Sequence, residues 1–358
     1  MTHARRAVQW RQVAKTRTVI VGLGTVAAEH LAKLRWIDDV EVAGICDRST
    51  SVAEAVAARF AVGPVFTDYA TMLEATRPDA VHVLTPPQSH RDLVLTALEA
   101  GAHVLVEKPM TTSWREYEEL RDAASQADRM LVECWNYRFM AVVVQALDHI
   151  GRGAIGVPST IDVSMGVNFS SGAYADRDMP HFAHDLPGGA LLNFATHPAS
   201  LLLAVMGSFE GVRTWRRRVG EAALSDDELR ALIAGRDLAG TLTLTSRSRP
   251  PDLTLRVRGT EGTLDVDVYH QRLLIGSTGM GLGRIAGSLR DGAARLRSAG
   301  AIAGRYATAR NDYFEGLRTL LEGFYAAAAG RAAQPVTAAE LDEVNRLVHA
   351  LFAAENQL

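Results

Sequence analysis

Cysteine is scarce: Cys46 and Cys134 are the only two in 358 residues. Their separation matches no metal or redox spacing, and both sit in apolar, strand-like runs. The expectation is two buried free thiols in a reducing cytoplasm. Basic charge is not in excess either. Lys and Arg number 38 against 41 Asp and Glu, a net charge of −3, which excludes the marked basic surplus of a nucleic-acid binder. No apolar run approaches the roughly 18–20 residues of a membrane span, so no membrane partner is expected. The first 17 residues hold Arg5, Arg6, Arg11, Lys15 and Arg17 but no apolar core of the signal-peptide kind. They read as an arm, free or wrapped on a neighbouring subunit. What remains is 47% apolar and 22% charged, the composition of a globular protein. The length exceeds one ordinary core and suits two domains.

The first half alternates strand and helix. A β-branched run, Thr18 to Val21, leads into Gly22-Leu23-Gly24-Thr25-Val26-Ala27 and then a helical pattern to about Arg35. Gly22 permits a tight turn, and Gly24 lets backbone N–H groups approach a pyrophosphate. The helix then starts beneath the phosphates with its positive end. A second strand, Val40 to Cys46, ends at Asp47, whose carboxylate can accept hydrogen bonds from the ribose hydroxyls of an adenosine. That favours NAD. Arg48 beside it could pair with a 2′-phosphate and leaves NADP open.

The alternation continues. Ser51–Phe60 and 68–75 read as helices, with Asp68 as the cap of the second. Ala80–Leu84 is a strand ending in Thr85-Pro86-Pro87-Gln88-Ser89-His90, and a helix leads from about Arg91 to Gly101. Ala102–Val106 is the next strand. It stops at Glu107-Lys108-Pro109, because proline cannot serve a central ladder. A helix near 114–127 and a strand 129–134 complete a parallel, doubly wound sheet. Three loops, 22–27, 85–90 and 107–110, thus fall at carboxyl ends of strands, where open α/β sheets bind ligands. Thr85, Pro86, Glu107 and Lys108 join the glycine loop as candidate cofactor contacts. His90 either touches the nicotinamide or only begins a helix. A lysine at this edge can place a cation against a carbonyl or alkoxide oxygen.

These segments carry a resemblance. Gly22 to Ala27, Thr85 to His90 and Ala100 to Pro109 resemble, in order and spacing, the glucose–fructose oxidoreductase / inositol dehydrogenase / rhizopine-catabolism family. Asn136-Tyr137-Arg138-Phe139 is similar to the family's segment at the domain boundary. The resemblance covers the first half of the chain. It implies a nicotinamide-dependent oxidoreductase, with Lys108 where nicotinamide and substrate meet.

After Gly153 the rhythm changes to runs of strands: 157–167, 212–219, 238–245, 253–257 and 263–268. The expectation is a second, α+β domain with a large, mostly antiparallel open sheet, so that residue 17 ends the arm, 18–136 bind the dinucleotide and 137–358 bind substrate and assemble. A dimer or tetramer would cover the open sheet face. Pro187-Gly-Gly-Ala-Leu-Leu-Asn193-Phe-Ala-Thr-His197-Pro198 is the chemical stretch. The family pattern has an aspartate four residues before the histidine, one helical turn away. Here that place holds Asn193, and Ser200 stands where a second aspartate is common. Pro198 either kinks a helix or starts one. His197 suits proton transfer, since a free imidazole titrates near pH 6.5. With Asn193 beside it the histidine should have a lower pKa than an aspartate-paired one, and Lys108 is the alternative proton carrier.

Tyr137, Arg138, His181 and His184 are candidate substrate contacts, with domain-interface packing as the other reading of Tyr137 and Arg138. His181, His184 and Asp185 do not have recognised metal-ligand spacing, and no metal is expected. Gly276 to Arg310, rich in glycine and arginine, reads as a solvated or subunit-contacting segment. The last segments, 311–329 and 338–356, read as amphipathic helices, the second capped by Thr337. The expected reaction is hydride exchange between nicotinamide and a secondary alcohol or ketone of a sugar, cyclitol or related polyhydroxy compound. Imine reduction, redox-neutral chemistry with retained NAD, and a non-catalytic nucleotide sensor are the alternatives.

Overall fold

A computed structural model describes residues 15–169, 173, 174, 176, 178, 179, 181–220, 226–277, 289, 292, 293, 296, 300 and 314–354. Chain order in the first domain is β1 (Thr16–Val21), α1 (Thr25–Leu34), β2 (Val40–Cys46), α2 (Thr50–Phe60), β3 (Val65–Phe66), α3 (Tyr69–Thr76), β4 (Ala80–Val83), α4 (His90–Glu99), β5 (His103–Val106), α5 (Trp114–Ala127) and β6 (Leu131–Glu133). Val19, Ile20, Val81, Val83 and Val104 to Val106 are wholly buried, as befits strands covered on both faces. All pairs are parallel, in the order β3-β2-β1-β4-β5-β6. The winding reverses between β1 and β4, which opens a crevice at their carboxyl ends. Helix starts follow local chemistry: Asp68 accepts from the Thr71 N–H, and Ser113 forms a reciprocal box with Glu116.

The second domain contains α6 (Ala141–Gly151), β7 (Pro158–Asn168), α7 (Gly189–Met206), β8 (Gly211–Arg217), β9 (Glu228–Ala234), β10 (Ala239–Thr245), β11 (Arg247–Gly259), β12 (Gly262–Asp267), β13 (Arg272–Ser277), α8 (Glu315–Ala328) and α9 (Ala338–Phe352). Its seven strands run β13-β12-β11-β7-β10-β9-β8. Only β7 and β10 pair in parallel; the remaining pairs are antiparallel. Thr337 caps α9 through a second reciprocal box, with Glu340.

Several boundaries differ from the sequence reading. The first strand begins at Thr16 rather than after an arm ending at 17, and residues 1–14 of that arm lie outside the described residues. β9 and β13 were not anticipated. Glu228-Leu-Arg-Ala-Leu-Ile-Ala234 is rich in helix formers, yet pairing with β8 and β10 imposes a strand whose inward face holds Leu229, Ala231 and Ile233. β11 starts earlier than expected, and Pro250 and Pro251 fall in a break of its register against β7. Glycines and arginines from 279 to 284 lie outside the described residues, as do Arg290, Arg295, Arg297, Arg305 and Arg310.

α7 decides between the two readings of Pro198 in favour of a helix that continues through it, and corrects the expectation that no long apolar run exists. It runs unbroken through Pro198, and it is long and apolar enough, by length and composition, to cross a membrane. Here 78% of it is buried: it is the core helix between the antiparallel sheet and α9. Asn193 and His197 on its buried face lie next to Lys108 of the first domain, while Ser200 donates to the His197 carbonyl within the helix.

Candidate active site

The glycine loop is shaped by contact. Gly22 has φ +88°, and a Cβ there would lie 2.7 Å from the Thr85 backbone nitrogen. Only glycine fits both constraints, and the loops at 22–27 and 85–90 are thereby pressed together. Around Gly24 the reverse holds: a Cβ would meet nothing within 4 Å. Gly24 also begins α1 without any side-chain cap and with no acidic residue in the first turn. Open space before an uncapped, positive helix end fits a dinucleotide pyrophosphate. Thr25 is exposed and Val26 half-exposed beside that space, whereas Leu23 is buried.

Asp47, at the end of β2, accepts hydrogen bonds from the backbone N–H of Leu23 at 2.9 Å and of Ser49 at 2.9 Å. It therefore holds the glycine loop as well as facing the crevice, and each oxygen retains a lone pair for a ribose hydroxyl. Arg48 is exposed. Thr85 takes a hydrogen bond from Ser89, and Pro86 is exposed at the loop tip. His90 does not open into the crevice. It is fully buried, with its ring nitrogens 3.1 Å from the Met110 carbonyl and 2.7 Å from the Thr85 carbonyl, and it fastens two of the three loops. Burial lowers its pKa.

Lys108 follows a buried Glu107 at the end of β5. Its Nζ donates to the Asn193 carbonyl at 3.1 Å and to Asn193 Oδ1 at 3.2 Å, and lies 5.2 Å from the centre of the Phe194 ring. Asn193 in turn donates through Nδ2 to the Tyr174 hydroxyl at 3.0 Å. The amide thus joins the lysine to an aromatic shelf. Tyr174 stacks on Phe169 at 4.3 Å and meets His181 at 4.2 Å. Desolvation lowers the Lys108 pKa; Glu107, Cys134 and Glu133 oppose it. Asn193 accepts two hydrogen bonds from the ammonium but, unlike a carboxylate, adds no charge to hold it.

His197 is 4% exposed, and its Nδ1 is buried without a hydrogen-bond partner. The Tyr137 ring stands edge-on to it at 4.5 Å. Burial first and the Lys108 charge second push its pKa down to about 3, against a weaker pull from Glu107. At neutral pH this imidazole is uncharged. His184 also has a buried, unpartnered Nε2, and His181 uses Nδ1 to accept from the Ala183 N–H. Gln88, from the first domain, donates to the Phe182 carbonyl at 2.9 Å and ties the two walls together. Arg138 reaches the other way, toward Glu340 of α9 at 3.9 Å, which is interface packing. Neither His181, His184 nor Asp185 belongs to a ligand cluster among the described residues.

Sequence reasoning did not single out Tyr174 or Glu133. Glu133 is buried at the domain junction. It accepts from the Met110 N–H at 2.8 Å, from Trp135 Nε1 at 2.9 Å and from Asn345 at 3.1 Å. Desolvation nonetheless raises its pKa to about 7. A lone charged residue in an apolar strand was the only signal that could have found it.

Residues 16–133 match a family model described as the oxidoreductase family with an NAD-binding Rossmann fold, and residues 143–265 match the C-terminal domain of the same family. The chain is 33% identical over 141 residues to D-glucoside 3-dehydrogenase of Escherichia coli, covering 39% of this chain and 40% of that protein. It is 25% identical over 266 residues to D-apiose dehydrogenase of Paraburkholderia graminis, covering 70% and 68%. Among solved structures, the WlbA dehydrogenase of Bordetella pertussis, in complex with NADH and UDP-GlcNAcA, superposes with a TM-score of 0.76 at 20% identity and covers 95% of each chain.

Proposed function

Because this chain belongs to the glucose–fructose oxidoreductase / inositol dehydrogenase / rhizopine-catabolism family of NAD-binding oxidoreductases, we propose that it exchanges a hydride between nicotinamide and a secondary alcohol or ketone of a sugar, cyclitol or related polyhydroxy compound. The observation that carries this reading is the placement of Lys108. Its ammonium stands at the carboxyl edge of the parallel sheet, held by two uncharged oxygens of Asn193 and desolvated by its surroundings. The bound nicotinamide supplies the hydride acceptor or donor.

Lys108 handles the proton. In oxidation the substrate C–H leaves with its electron pair, and the hydroxyl proton passes to a neutral Lys108. In reduction Lys108 returns it to the developing alkoxide. A depressed lysine pKa makes the ammonium a readier proton donor than an ordinary lysine. His197 takes a narrower role than the sequence suggested. With a pKa near 3 it cannot hold a proton at pH 7, so it orients the substrate oxygen as a neutral hydrogen-bond partner. Tyr174, His181 and Tyr137 form an aromatic surface suited to the C–H face of a sugar ring, and the relatives' sugar substrates favour that class. Asp47 at the ribose favours NAD over NADP.

Fluorescence titration with NADH and NADPH tests the cofactor, and NAD⁺ reduction across pyranosides, aldoses and cyclitols tests the chemistry. The reading expects tighter NADH binding and turnover with at least one sugar class. Tight binding with cofactor recycled rather than consumed points instead to redox-neutral chemistry on the same scaffold. Failure to bind either nucleotide overturns the proposal.

A further inference from the structure

One carboxylate stands between the two walls of the site, and the reaction as described does not use it. Glu133, the last residue of β6, is 1% exposed. Its Oε1 accepts from the Met110 N–H at 2.8 Å and from Thr196 Oγ1 at 3.5 Å. Its Oε2 accepts from Trp135 Nε1 at 2.9 Å and from Asn345 Nδ2 at 3.1 Å. These donors come from separate parts of the chain: the loop after β5, α7, the segment after β6, and α9. Asn345 lies outside both stretches that match the family.

The two oxygens do different things. Met110 is two residues beyond Lys108, and Thr196 is three residues beyond Asn193 and immediately before His197. Oε1 is therefore a single atom held from one side by the loop that carries Lys108 and from the other by the helix that carries its partner. Oε2 is the anchor. Asn345 is buried and also donates to the Leu341 carbonyl at 3.0 Å, so both its amide hydrogens are used and its orientation on Glu133 is set. α9 touches the Lys108 loop again one residue after Met110, where His349 Nε2 is 3.2 Å from Thr111 Oγ1. The helix thus braces the turn that presents Lys108.

Only an ionised carboxylate accepts at both oxygens without presenting a hydrogen of its own. A glutamine has the same shape, but its NH₂ group would face N–H donors on one side or the other. The charged form also gains little stability from the fold. Burial outweighs the donors and raises the Glu133 pKa to about 7, so the carboxylate is less favoured here than in water. What it supplies is placement. Lys108 Nζ reaches Asn193 through contacts of 3.1 and 3.2 Å, and a misplacement of about 1 Å at a reacting centre can cost on the order of 10²-fold in rate.

We propose that Glu133 is a positioning residue for Lys108: its carboxylate pins the loop that carries Lys108 and the helix that carries Asn193 to one point, and Asn345 of α9 holds that point in place. This rests on the reading of Lys108 as the proton carrier. Glu133 itself moves no proton in the reaction. Its effect reaches the substrate through where Lys108 stands, so it belongs to turnover and not to cofactor affinity.

Two measurements on the full chain test it. The first needs no substrate. Lys15, Lys33 and Lys108 are the only lysines, so ¹H–¹³C spectra of the lysine ε-groups are simple, with K108M for assignment. Lys108 Nζ lies 5.2 Å from the centre of the Phe194 ring, so its ε-protons carry a ring-current shift that F194L removes. In E133Q the Lys108 signal should move most of the way to its F194L position; in N345A, which keeps the carboxylate but takes away one anchor and serves if E133Q does not fold, it should move part of the way. A Lys108 signal unmoved in both variants overturns the proposal. The second is a double-mutant cycle, with NAD⁺ reduction followed on the most active of the pyranosides, aldoses and cyclitols. E133Q should lower kcat by about 10- to 100-fold while NADH affinity by fluorescence stays the same. In the K108M background, where no ammonium remains to be placed, E133Q should lower kcat by less than about threefold. Equal losses in both backgrounds overturn the proposal, since Glu133 would then act independently of Lys108. So does an E133Q enzyme that melts earlier but keeps its turnover, which packing alone would give. Undiminished turnover in K108M overturns instead the reading of Lys108, and the positioning role with it.

Discussion

The two walls of the site are built by different means. The wall from the parallel sheet is made of loops whose positions are dictated by backbone. Gly22 cannot carry a side chain against Thr85, His90 lies buried between two carbonyls, and the chain leaves β5 at Val106 to turn through Glu107-Lys108-Pro109. The wall from the second domain is built round one helix face, where side chains do most of the work. Asn193 holds Lys108 and Tyr174 through its amide, and His197, its Nδ1 without a hydrogen bond, stands against Tyr137 four residues on. A backbone-defined wall binds what every dinucleotide shares. A side-chain-defined wall can change its substrate and its proton chemistry without disturbing the fold.

Substitutions on each wall should separate these roles. The largest effect is expected for Lys108→Met: turnover falls on the order of 10³-fold, while NADH affinity by fluorescence changes little. Parallel loss of both would place Lys108 with the cofactor alone. Gly22→Ala, on the backbone wall, should instead weaken NADH binding and stability together, the latter by roughly 1–3 kcal/mol from strain and contact, read by calorimetry and titration. On the side-chain wall, Asn193→Asp puts a carboxylate against Lys108 and should raise its midpoint by about one to three pH units, carrying the pH–rate profile with it. An unmoved profile would remove Lys108 as the proton carrier. The smallest effect is Tyr174→Phe, where loss of one hydrogen bond to Asn193 costs about 0.5–1.5 kcal/mol, seen chiefly in KM.

Stability against pH gives a further contrast. His197 and His349 bind protons at about 3 and about 4 when folded, but near 6.5 when unfolded. Their contribution is complete above 6.5 and is lost as pH falls toward those values, by up to roughly 1.4 kcal/mol per pH unit for each. Glu133 has the opposite sign. Its folded pKa of about 7 exceeds its ordinary 4.5, so its contribution is complete below 4.5 and is lost as pH rises through 7. His349→Gln should therefore flatten the acid side of the curve, measured by denaturant titration between about pH 4 and 6.5. An unchanged slope would mean that His349 titrates freely.

How far the sequence alone reaches follows the same division. Gly22, Gly24, Asp47 and Lys108 were legible because turns and strand ends restrict which residues can stand there. The parallel order of the first sheet followed from strict alternation. The pairing of Lys108 with Asn193 was not, because 85 residues separate them and an amide has no signature spacing toward a lysine. Tyr174 lies in a connection with no periodicity to read. Asn345 is 212 residues from Glu133 and reaches it only through the return of α9. β9 was hidden by its helix-forming composition, and its strand form is imposed by neighbours on both sides.

The central claim is that desolvation and an uncharged Asn193 hold the Lys108 ammonium ready to release its proton. Titrating the Lys108 ε-carbon by NMR, with Lys108→Met for assignment, measures this directly. The account predicts a midpoint clearly below the ordinary 10.5 that rises in Asn193→Asp. A midpoint at or above 10.5 in the wild-type protein would contradict it.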